Sequence, residues 1–362
     1  MKLKIKKESL YNYAEPVSFS PHHVRIFPRV DLFVKVERVV FETAPGADVQ
    51  YRQDLFDNLI AYCFYPKTGL ELPFRLELDL EVKEKNPFHF LLESTGFKIP
   101  PEYRPDRAEI LEPYLRPEGG CKLPDPLAPT VPRPTVETLV NFNHWIYENI
   151  AYESRQRGKP YTPAETLKKG SGSCRDFAAL LVEALRQNGV AARLASGFVW
   201  EGDKAEEDKR ASSAMHLWVE ACLPGAGWIG FDPTSGLLAG EGHIPLSCTP
   251  EPSTAAPVSG AVDPCVSEMI HKMSVSRVYE SPRFTKPYTG KQWEEINALG
   301  RRIDDHLLAD DVRLTMGGEP TFVSIDDMES PEWNTDADGP HKRELAKNLA
   351  VKLYDSFGKG GY

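Results

Sequence analysis

Ten prolines fall between residues 100 and 134, at positions 100, 101, 105, 113, 117, 124, 126, 129, 132 and 134. Proline fixes its own φ angle and carries no amide hydrogen, so neither a regular helix nor a central β-strand is expected there. The segment is therefore predicted to be an extended connector or a wrapped segment, and not a helix. It divides a chain of 362 residues, which has room for two or three domains, into two parts of different pattern.

The part before this segment has the pattern of short β-strands. Residues 74–82 alternate apolar and charged side chains over a full strand length, which predicts one buried face and one solvated face. Further strand candidates, separated by Pro and Gly, lie at residues 24–26, 31–41 and 61–65. Several short strands with such punctuation predict a β-sandwich domain over residues 1–99.

Three helices are predicted after the proline-rich segment. Thr135 is a plausible N-cap of the first helix, and Thr162 begins a capping box with proline at the first helical position of the second. The third helix is predicted to begin at Cys174, after a Gly/Ser turn, and to end at Asn188 and Gly189.

Strands are predicted to follow the third helix at residues 190–200, 214–223 and 228–231. A polar loop at residues 201–213 separates the first two, and a tight Pro-Gly-Ala-Gly turn joins the last two. Helices followed by antiparallel strands predict an α+β core, to which we assign residues 135–285, with residues 100–134 as the connector.

The bulk composition excludes several partner classes. The formal net charge is −10, which argues against nucleic acid or an anionic membrane as the main partner. The six cysteines show no metal-ligand spacing, the charged start Met1–Lys7 lacks the apolar stretch of a signal peptide, and no apolar run is long enough to span a membrane. We therefore expect a soluble, cytoplasmic protein with reduced cysteines, no metal and no cofactor.

Cys174 occupies an unusual place, because helix starts normally carry Ser, Thr, Asp or Asn and cysteine has no capping advantage. A thiol does gain something there, since the positive end of the helix dipole and the free N–H groups stabilise a thiolate. A nucleophilic thiolate needs a histidine to exchange its proton with, and that histidine needs a carboxylate or amide to orient it.

His216 and Asp232 are the predicted partners of Cys174. His216 lies within an apolar strand, and Asp232 ends the next strand after a tight turn, so a short hairpin brings the two close together. Each residue taken alone has a commoner structural explanation: a small buried cysteine, a satisfied core histidine and a turn-forming aspartate. Their order and mutual consistency favour the catalytic interpretation.

The three motifs resemble the transglutaminase-like superfamily, and most closely its bacterial and archaeal transglutaminase-like cysteine proteases. They are Gly-Ser-Cys-Arg-Asp-Phe-Ala, Met-His-Leu-Trp-Val-Glu and Trp-Ile-Gly-Phe-Asp-Pro-Thr. The resemblance covers roughly residues 1–285, because Tyr-Ala-Glu-Pro-Val and Ser-Pro-His-His-Val-Arg near the start look like the family's own N-terminal β-sandwich domain. It implies a papain-like core in which a cysteine-bearing helix packs on an antiparallel sheet.

The resemblance also implies roles for individual residues. Cys174 would be the nucleophile, His216 the general base and acid, and Asp232 the orienting carboxylate. The N–H of Cys174 would be one oxyanion donor, with Tyr161 or a neighbour as the second. We expect Asp176 to form an ion pair beside the site.

Further residues near the motifs are expected to support the site or the core. His243 is expected to be structural or to line the rim. Trp218 and Trp228 are expected to pack in the core rather than to shape an acyl-donor groove.

The implied reaction is acyl transfer on peptide or isopeptide amides. Water as the acceptor gives a cysteine peptidase or amidase, which we favour, and an amine acceptor gives a transglutaminase. These alternatives share every catalytic residue, and a non-catalytic scaffold module is the rival from another class. No calcium-site pattern is evident, which weakly disfavours an animal-type crosslinking enzyme.

The last region, residues 286–362, resembles the start of an amidoligase domain, through Leu-Thr-Met-Gly-Gly-Glu-Pro-Thr-Phe, Glu-Trp-Asn and Gly-Pro-His-Lys-Arg. A strand and turn are predicted at residues 315–322, and an amphipathic helix at Pro340–Phe357 has Leu345, Leu349 and Leu353 on one stripe. We expect this chain to be the front of a longer protein, with the downstream ligase domain as a possible partner. In that case the core could process a peptide made by the ligase.

Overall fold

The computed structural model divides the chain into two units, Met1–Ser281 and Pro282–Tyr362. It describes residues 1–129, 132–155, 158–202, 215–281, 288–310, 314–316, 322–324, 327, 329–334, 336 and 338–358. No helix among these residues combines the length and the apolar character that crossing a membrane requires.

The first unit alternates strand-rich and helical segments. Its strands are, in chain order, Lys2–Val17 (β1), His22–Val24 (β2), Val34–Glu42 (β3), Asp48–Gln53 (β4), Leu59–Phe64 (β5), Gly69–Val82 (β6), Lys98–Ile99 (β7), Arg133–Pro134 (β8), Ala151–Tyr152 (β9), Ser171–Gly172 (β10), Ala192–Val199 (β11), His216–Leu223 (β12), Gly227–Asp232 (β13), Leu237–Leu238 (β14), His243–Thr249 (β15), Val258–Ser259 (β16) and Ser267–Tyr279 (β17). Its helices are Pro105–Leu115 (α1), Thr135–Asn149 (α2), Pro163–Lys169 (α3) and Cys174–Gln187 (α4), with 3₁₀ turns at Ser94–Gly96 and Pro252–Thr254.

The predicted N-terminal sandwich is confirmed as two four-stranded sheets, ordered β17-β1-β6-β3 and β16-β2-β5-β4. Alternation of apolar and charged residues places Leu76, Leu78 and Leu80 of β6 on the inner face, each 1% exposed. The first of these two sheets also includes β17, which pairs antiparallel with β1. Strand β17 lies in the range of residues that the sequence analysis assigned to the core. The domain limits proposed from the sequence stay a prediction.

The predicted α+β core is confirmed around one antiparallel sheet ordered β14-β13-β12-β11-β15. Helix α4 packs on β11 and β12. Its contact face consists of Phe177, Ala178, Leu181 and Leu185, which are fully buried and follow the spacing of one helical face. This face buries the helix along its length and so fixes where its first residue, Cys174, lies.

The prediction that the proline-rich segment contains no helix is wrong, because α1 spans Pro105–Leu115. Proline is compatible with the first helical position, where its missing N–H has no acceptor, and Pro113 falls only in the last turn. The remainder of the segment wraps the core rather than tethering it, since Leu123 and Leu127 are buried in the same apolar cluster as α4.

The predicted helix ends mostly match the structure. Thr162 and Glu165 form the expected capping box, and α4 ends at Gln187 with Asn188 as its C-cap, followed by Gly189 with a positive φ of 72°. Helix α2, in contrast, already includes Thr135, and Pro134 is its N-cap. The predicted polar loop at residues 201–213 lies mostly outside the described residues.

The second unit is described by itself. It contains Gly290–Ala309 (α5), Leu314–Met316 (β18), Phe322–Ser324 (β19), Pro331–Asn334 (α6) and Pro340–Phe357 (α7). Strands β18 and β19 pair antiparallel, and the predicted turn between them lies outside the described residues. Helix α7 is the amphipathic helix predicted from the sequence.

Candidate active site

The start of helix α4 is held by a short hydrogen-bond ring. Asp176 Oδ2 accepts hydrogen bonds from the Ser173 N–H at 2.7 Å and from the Ser173 hydroxyl at 2.8 Å. Cys174 is the first helical residue and remains partly exposed, whereas Ser173 and Asp176 on either side are buried. The thiol therefore lies where the first amides of a helix lack intrahelical partners, which favours an anion.

Asp176 also anchors the segment that precedes α3. Its carboxylate accepts from Arg155 Nη2 at 2.6 and 2.8 Å and from the Tyr161 N–H at 2.6 Å. Burial raises the pKa of Asp176, but the hydrogen bonds from Arg155, Ser173 and Tyr161 outweigh it and hold the pKa below its ordinary value. The expected ion pair at Asp176 is thus present.

The backbone N–H of Tyr161 has another partner, so only its phenol O–H is left for the predicted role of second oxyanion donor, which stays a prediction. Its backbone N–H is bound to Asp176 at 2.6 Å, and its phenol oxygen accepts from Lys169 Nζ at 3.2 Å. The guanidinium of Arg155 stacks over the same ring at 4.0 Å from its centroid. Tyr161 therefore braces the segment beside the helix start.

The hairpin of β12 and β13 brings His216 to Asp232. The register pairs Val219 with Phe231, which places Asp232 diagonal to His216 on the same face of the sheet. The imidazole Nε2 lies 3.0 Å from Asp232 Oδ1, and the two residues are 2% and 3% exposed. Because an ionised carboxylate only accepts, Nε2 carries the hydrogen and Nδ1 is left to exchange a proton with a thiol.

The pKa shifts of Cys174 and His216 run in opposite directions, and each favours the charged form of its group. Burial raises the pKa of Cys174, but its interactions with the His216 imidazole and with the Leu217 N–H outweigh burial and lower the pKa below its ordinary value. Burial lowers the pKa of His216, but Asp232 and then Cys174 outweigh burial and raise it well above its ordinary value. Charge on each partner therefore stabilises charge on the other.

Asp232 accepts a hydrogen bond at each available position of its carboxylate. Oδ1 accepts from the Thr234 N–H at 3.0 Å, and Oδ2 accepts from the Ser235 hydroxyl at 3.1 Å and from His243 Nε2 at 3.3 Å. Burial raises the pKa of Asp232, but the charge and hydrogen bonds of His216 and His243 outweigh it, and the pKa lies well below its ordinary value. The group is thus a fixed anion behind His216.

The sequence did not reveal that His243 contacts Asp232. His243 was expected to be structural or to line the rim, and its Nε2 lies 3.3 Å from Asp232 Oδ2. A histidine at the start of a strand predicts no partner by itself, because β15 reaches β12 only across β11 in the sheet.

Trp218 packs in the core as expected, whereas Trp228 is only partly buried. Trp218 is 1% exposed, and its ring stacks near His216. Trp228 packs on Tyr114 and under the guanidinium of Arg193. Within the described part of the chain, no group of three His, Cys, Asp or Glu side chains is arranged to hold a metal ion.

Three family models match successive parts of the chain. Residues 3–81 match the bacterial transglutaminase-like N-terminal region, residues 125–233 the transglutaminase-like superfamily, and residues 263–362 the model described as "Putative amidoligase enzyme (DUF2126)". The middle of this chain is a transglutaminase-like core. The third match begins before β17, so it includes a strand of the N-terminal sheet.

Curated relatives share only part of this chain. The uncharacterized protein Rv2569c of Mycobacterium tuberculosis is 29% identical over 135 residues, which are 36% of this chain and 43% of that protein. The uncharacterized protein YebA of Bacillus subtilis is 28% identical over 107 residues, which are 28% of this chain and 14% of YebA. The chain therefore spans less than half the length of either relative.

A solved structure shares the fold. A crystal structure described as "a Putative Cysteine Protease from Cytophaga hutchinsonii" has a TM-score of 0.58 and 16% sequence identity, covering 79% of this chain and 94% of that chain. The sandwich and the core of the first unit together thus form a known type of fold, papain-like in its cysteine-bearing helix and antiparallel sheet.

Proposed function

We propose that this chain is a thiol-dependent acyl-transfer enzyme that acts on peptide or isopeptide amides, with water as its usual acceptor. One observation carries the proposal. A buried carboxylate, Asp232, holds one nitrogen of His216 at 3.0 Å, while the same imidazole interacts with a partly exposed thiol at a helix start. This arrangement supplies a nucleophile, a proton carrier and a group that orients the carrier.

In the proposed reaction, Cys174 Sγ attacks the amide carbonyl carbon, and His216 holds the thiol proton. The C–N bond then breaks as His216 gives that proton to the leaving amine, which leaves a thioester on Cys174. The backbone N–H of Cys174 serves as one donor to the oxyanion. Water, deprotonated by His216, then attacks the thioester carbonyl. The C–S bond breaks, the carboxylic acid product is released, and His216 returns the proton to regenerate the Cys174 thiol.

The first test is the pH dependence of iodoacetamide labelling at Cys174, resolved by peptide mass spectrometry, in the wild type and in His216→Ala. We expect labelling of the wild type to persist well below pH 7 and to shift toward the free-thiol value of about 8.5 in the variant. Cys222, a partly exposed thiol outside the site, is the internal control. Ordinary thiol behaviour at Cys174 in both proteins would favour a scaffold module instead.

The second test separates the acceptors. Turnover of casein or of an acidic or γ-linked peptide is measured with and without a fluorescent primary amine. Release of new carboxyl ends without amine incorporation supports hydrolysis, whereas incorporation that depends on Cys174 supports a transglutaminase. Cleavage of the acidic peptide but not of casein would support a role in processing the product of a linked ligase, to which the third family match lends weight.

The cellular setting is also part of the proposal. All six cysteines, each in the described part of the chain, are free thiols, which supports a reducing cytoplasmic location. Alkylation of cysteines in intact cells before lysis tests this, because oxidised cysteines would escape labelling.

A further inference from the structure

His243 binds the same carboxylate as His216, from the other side. His243 Nε2 lies 3.3 Å from Asp232 Oδ2, whereas His216 Nε2 lies 3.0 Å from Oδ1. Asp232 is 3% exposed, so water contributes little to its solvation. Since the carboxylate is held as an anion, it only accepts, and His243 must present an N–H to it.

The indole of Trp218 lies beside the rings of both histidines. Trp218 meets His243 edge to face, with centroids 5.2 Å apart, and lies 6.3 Å from the ring of His216 at an interplanar angle of 23°. Gly197 makes room for this indole, because a Cβ there would lie 2.7 Å from the Trp218 ring and 2.1 Å from the carbonyl oxygen of Ile244. The position of His243 is therefore determined by the sheet itself.

We propose that His243 is a positioning residue, whose N–H to Oδ2 fixes the rotation of the Asp232 carboxylate so that Oδ1 faces His216. This inference rests on the function proposed above. A terminal carboxylate torsion is broad and roughly two-fold, so it needs donors on both oxygens to hold one orientation. If the His243 donor is lost, Oδ2 keeps only the Ser235 hydroxyl at 3.1 Å, which can rotate to its other acceptor, the Asp232 carbonyl oxygen at 3.3 Å. Oδ2 is then held weakly, and both the carboxylate and the imidazole it orients gain freedom. His216 then stabilises the Cys174 thiolate less, so the pH at which Cys174 is half labelled rises.

Two substitutions separate hydrogen bonding from packing. His243→Gln keeps an N–H near the position of Nε2 and removes the ring, whereas His243→Phe keeps a ring beside Trp218 and removes the donor. The readout is the pH at which iodoacetamide labelling of Cys174 is half-maximal, together with the thermal unfolding midpoint. His271, a half-buried histidine in the sandwich, supplies the matched control pair His271→Gln and His271→Phe.

We expect His243→Phe to raise the labelling midpoint by about 1 pH unit, which is about a tenfold loss of thiolate at pH values below both midpoints, and His243→Gln to stay near the wild type. Both His271 variants should label like the wild type. If His243→Phe does not fold, His243→Met takes its place, since it fills the volume with a flexible side chain and has no donor.

The opposite pattern overturns the inference. A shift in His243→Gln with none in His243→Phe would make His243 a packing residue, and unchanged midpoints in both would make it dispensable. Either result leaves the proposed function standing if the wild type labels at low pH and His216→Ala does not. A wild type with an ordinary thiol defeats both proposals together.

Discussion

Two buried polar clusters, each containing a histidine, lie in different layers of the first unit, and only one of them contains a carboxylate. In the core, His216 contacts Asp232 and interacts with Cys174. In the sandwich, Lys7 Nζ donates to Ser9 Oγ at 2.9 Å and lies 3.3 Å from His271 Nδ1.

The carboxylate decides the charge state of each cluster. Burial, and then the charge of Lys7, lowers the pKa of His271 to about 4, and burial lowers the pKa of Lys7 to about 8. Asp232 instead raises the pKa of His216 well above its ordinary value although that ring is more deeply buried. Burial and a neighbouring cation therefore disfavour charge on His271, whereas a fixed anion favours it on His216 despite burial. Only the core cluster can retain a charged proton carrier.

The largest expected effect comes from removing that anion. In Asp232→Asn, His216 loses its partner, so we expect turnover to fall by about 10²–10⁴-fold and the low-pH labelling of Cys174 to disappear. Steady-state kinetics with any substrate found above, together with the labelling profile, measure this. Asp263→Asn, at an exposed carboxylate in the sandwich, is the matched control and should be silent. Full activity in Asp232→Asn would contradict the conclusion that the Asp232 carboxylate keeps His216 charged for catalysis.

A smaller effect is expected from removing Lys7, a buried cation in the sandwich. Its folded pKa of about 8 lies below the unfolded value, so the unfolded chain binds more protons between about pH 8 and 10.5, and stability rises across that window. We expect Lys7→Met to raise the free energy of unfolding at pH 7 by about 2 kcal/mol, after subtracting the lost hydrogen bond to Ser9.

Denaturant unfolding at pH 7 and at pH 10.5 checks this prediction. The gain should shrink toward zero at the higher pH, where Lys7 is neutral in both states. Lys4→Met, on the solvated face of the same strand, should change stability by less than about 0.5 kcal/mol. An equal gain at both pH values would mean that packing, and not charge, is responsible.

The smallest effect is expected from adding a carboxylate to the sandwich cluster, which makes that cluster resemble the one in the core. Ser9→Asp places a carboxylate beside Lys7 and His271, and we expect the pKa of His271 to rise by at least about 1 unit from its value of about 4. NMR titration of the His271 ring measures it, with Ser9→Asn as the uncharged control. A His271 pKa that does not respond would mean that an anion alone does not explain the difference between the clusters.

Much of the fold followed from local patterns. The alternation on β6 and the apolar face of α4 are repeats of period 2 and 3.6, and both predicted which residues are buried. The helix α1 escaped prediction because proline at a helix start is neutral, so counting prolines does not exclude a helix. The place of β17 beside β1 was not predictable, since pairing across the whole first unit leaves no local signature.

The residues of the candidate site, like the elements of the fold, were only partly predictable from the sequence. Cys174, His216 and Asp232 could be chosen because a helix start, a strand and a short hairpin limit where their side chains lie. Arg155 and His243 could not, because each reaches its carboxylate from an element whose position depends on packing elsewhere. The catalytic roles of all these residues stay predictions until the variants are measured.

The pairing of β17 with β1 has a consequence for synthesis. Ser9 and His271 are directly paired across these two strands yet lie 262 residues apart in the chain. At ribosomal rates of about 5–20 residues per second, β1 waits roughly 10–50 seconds for its outer neighbour. Throughout that interval the edge of the longest strand is open to pairing with other chains. A recombinant fragment that stops before Ser267 would keep this open edge permanently, so the shortest practical fragment reaches at least Tyr279.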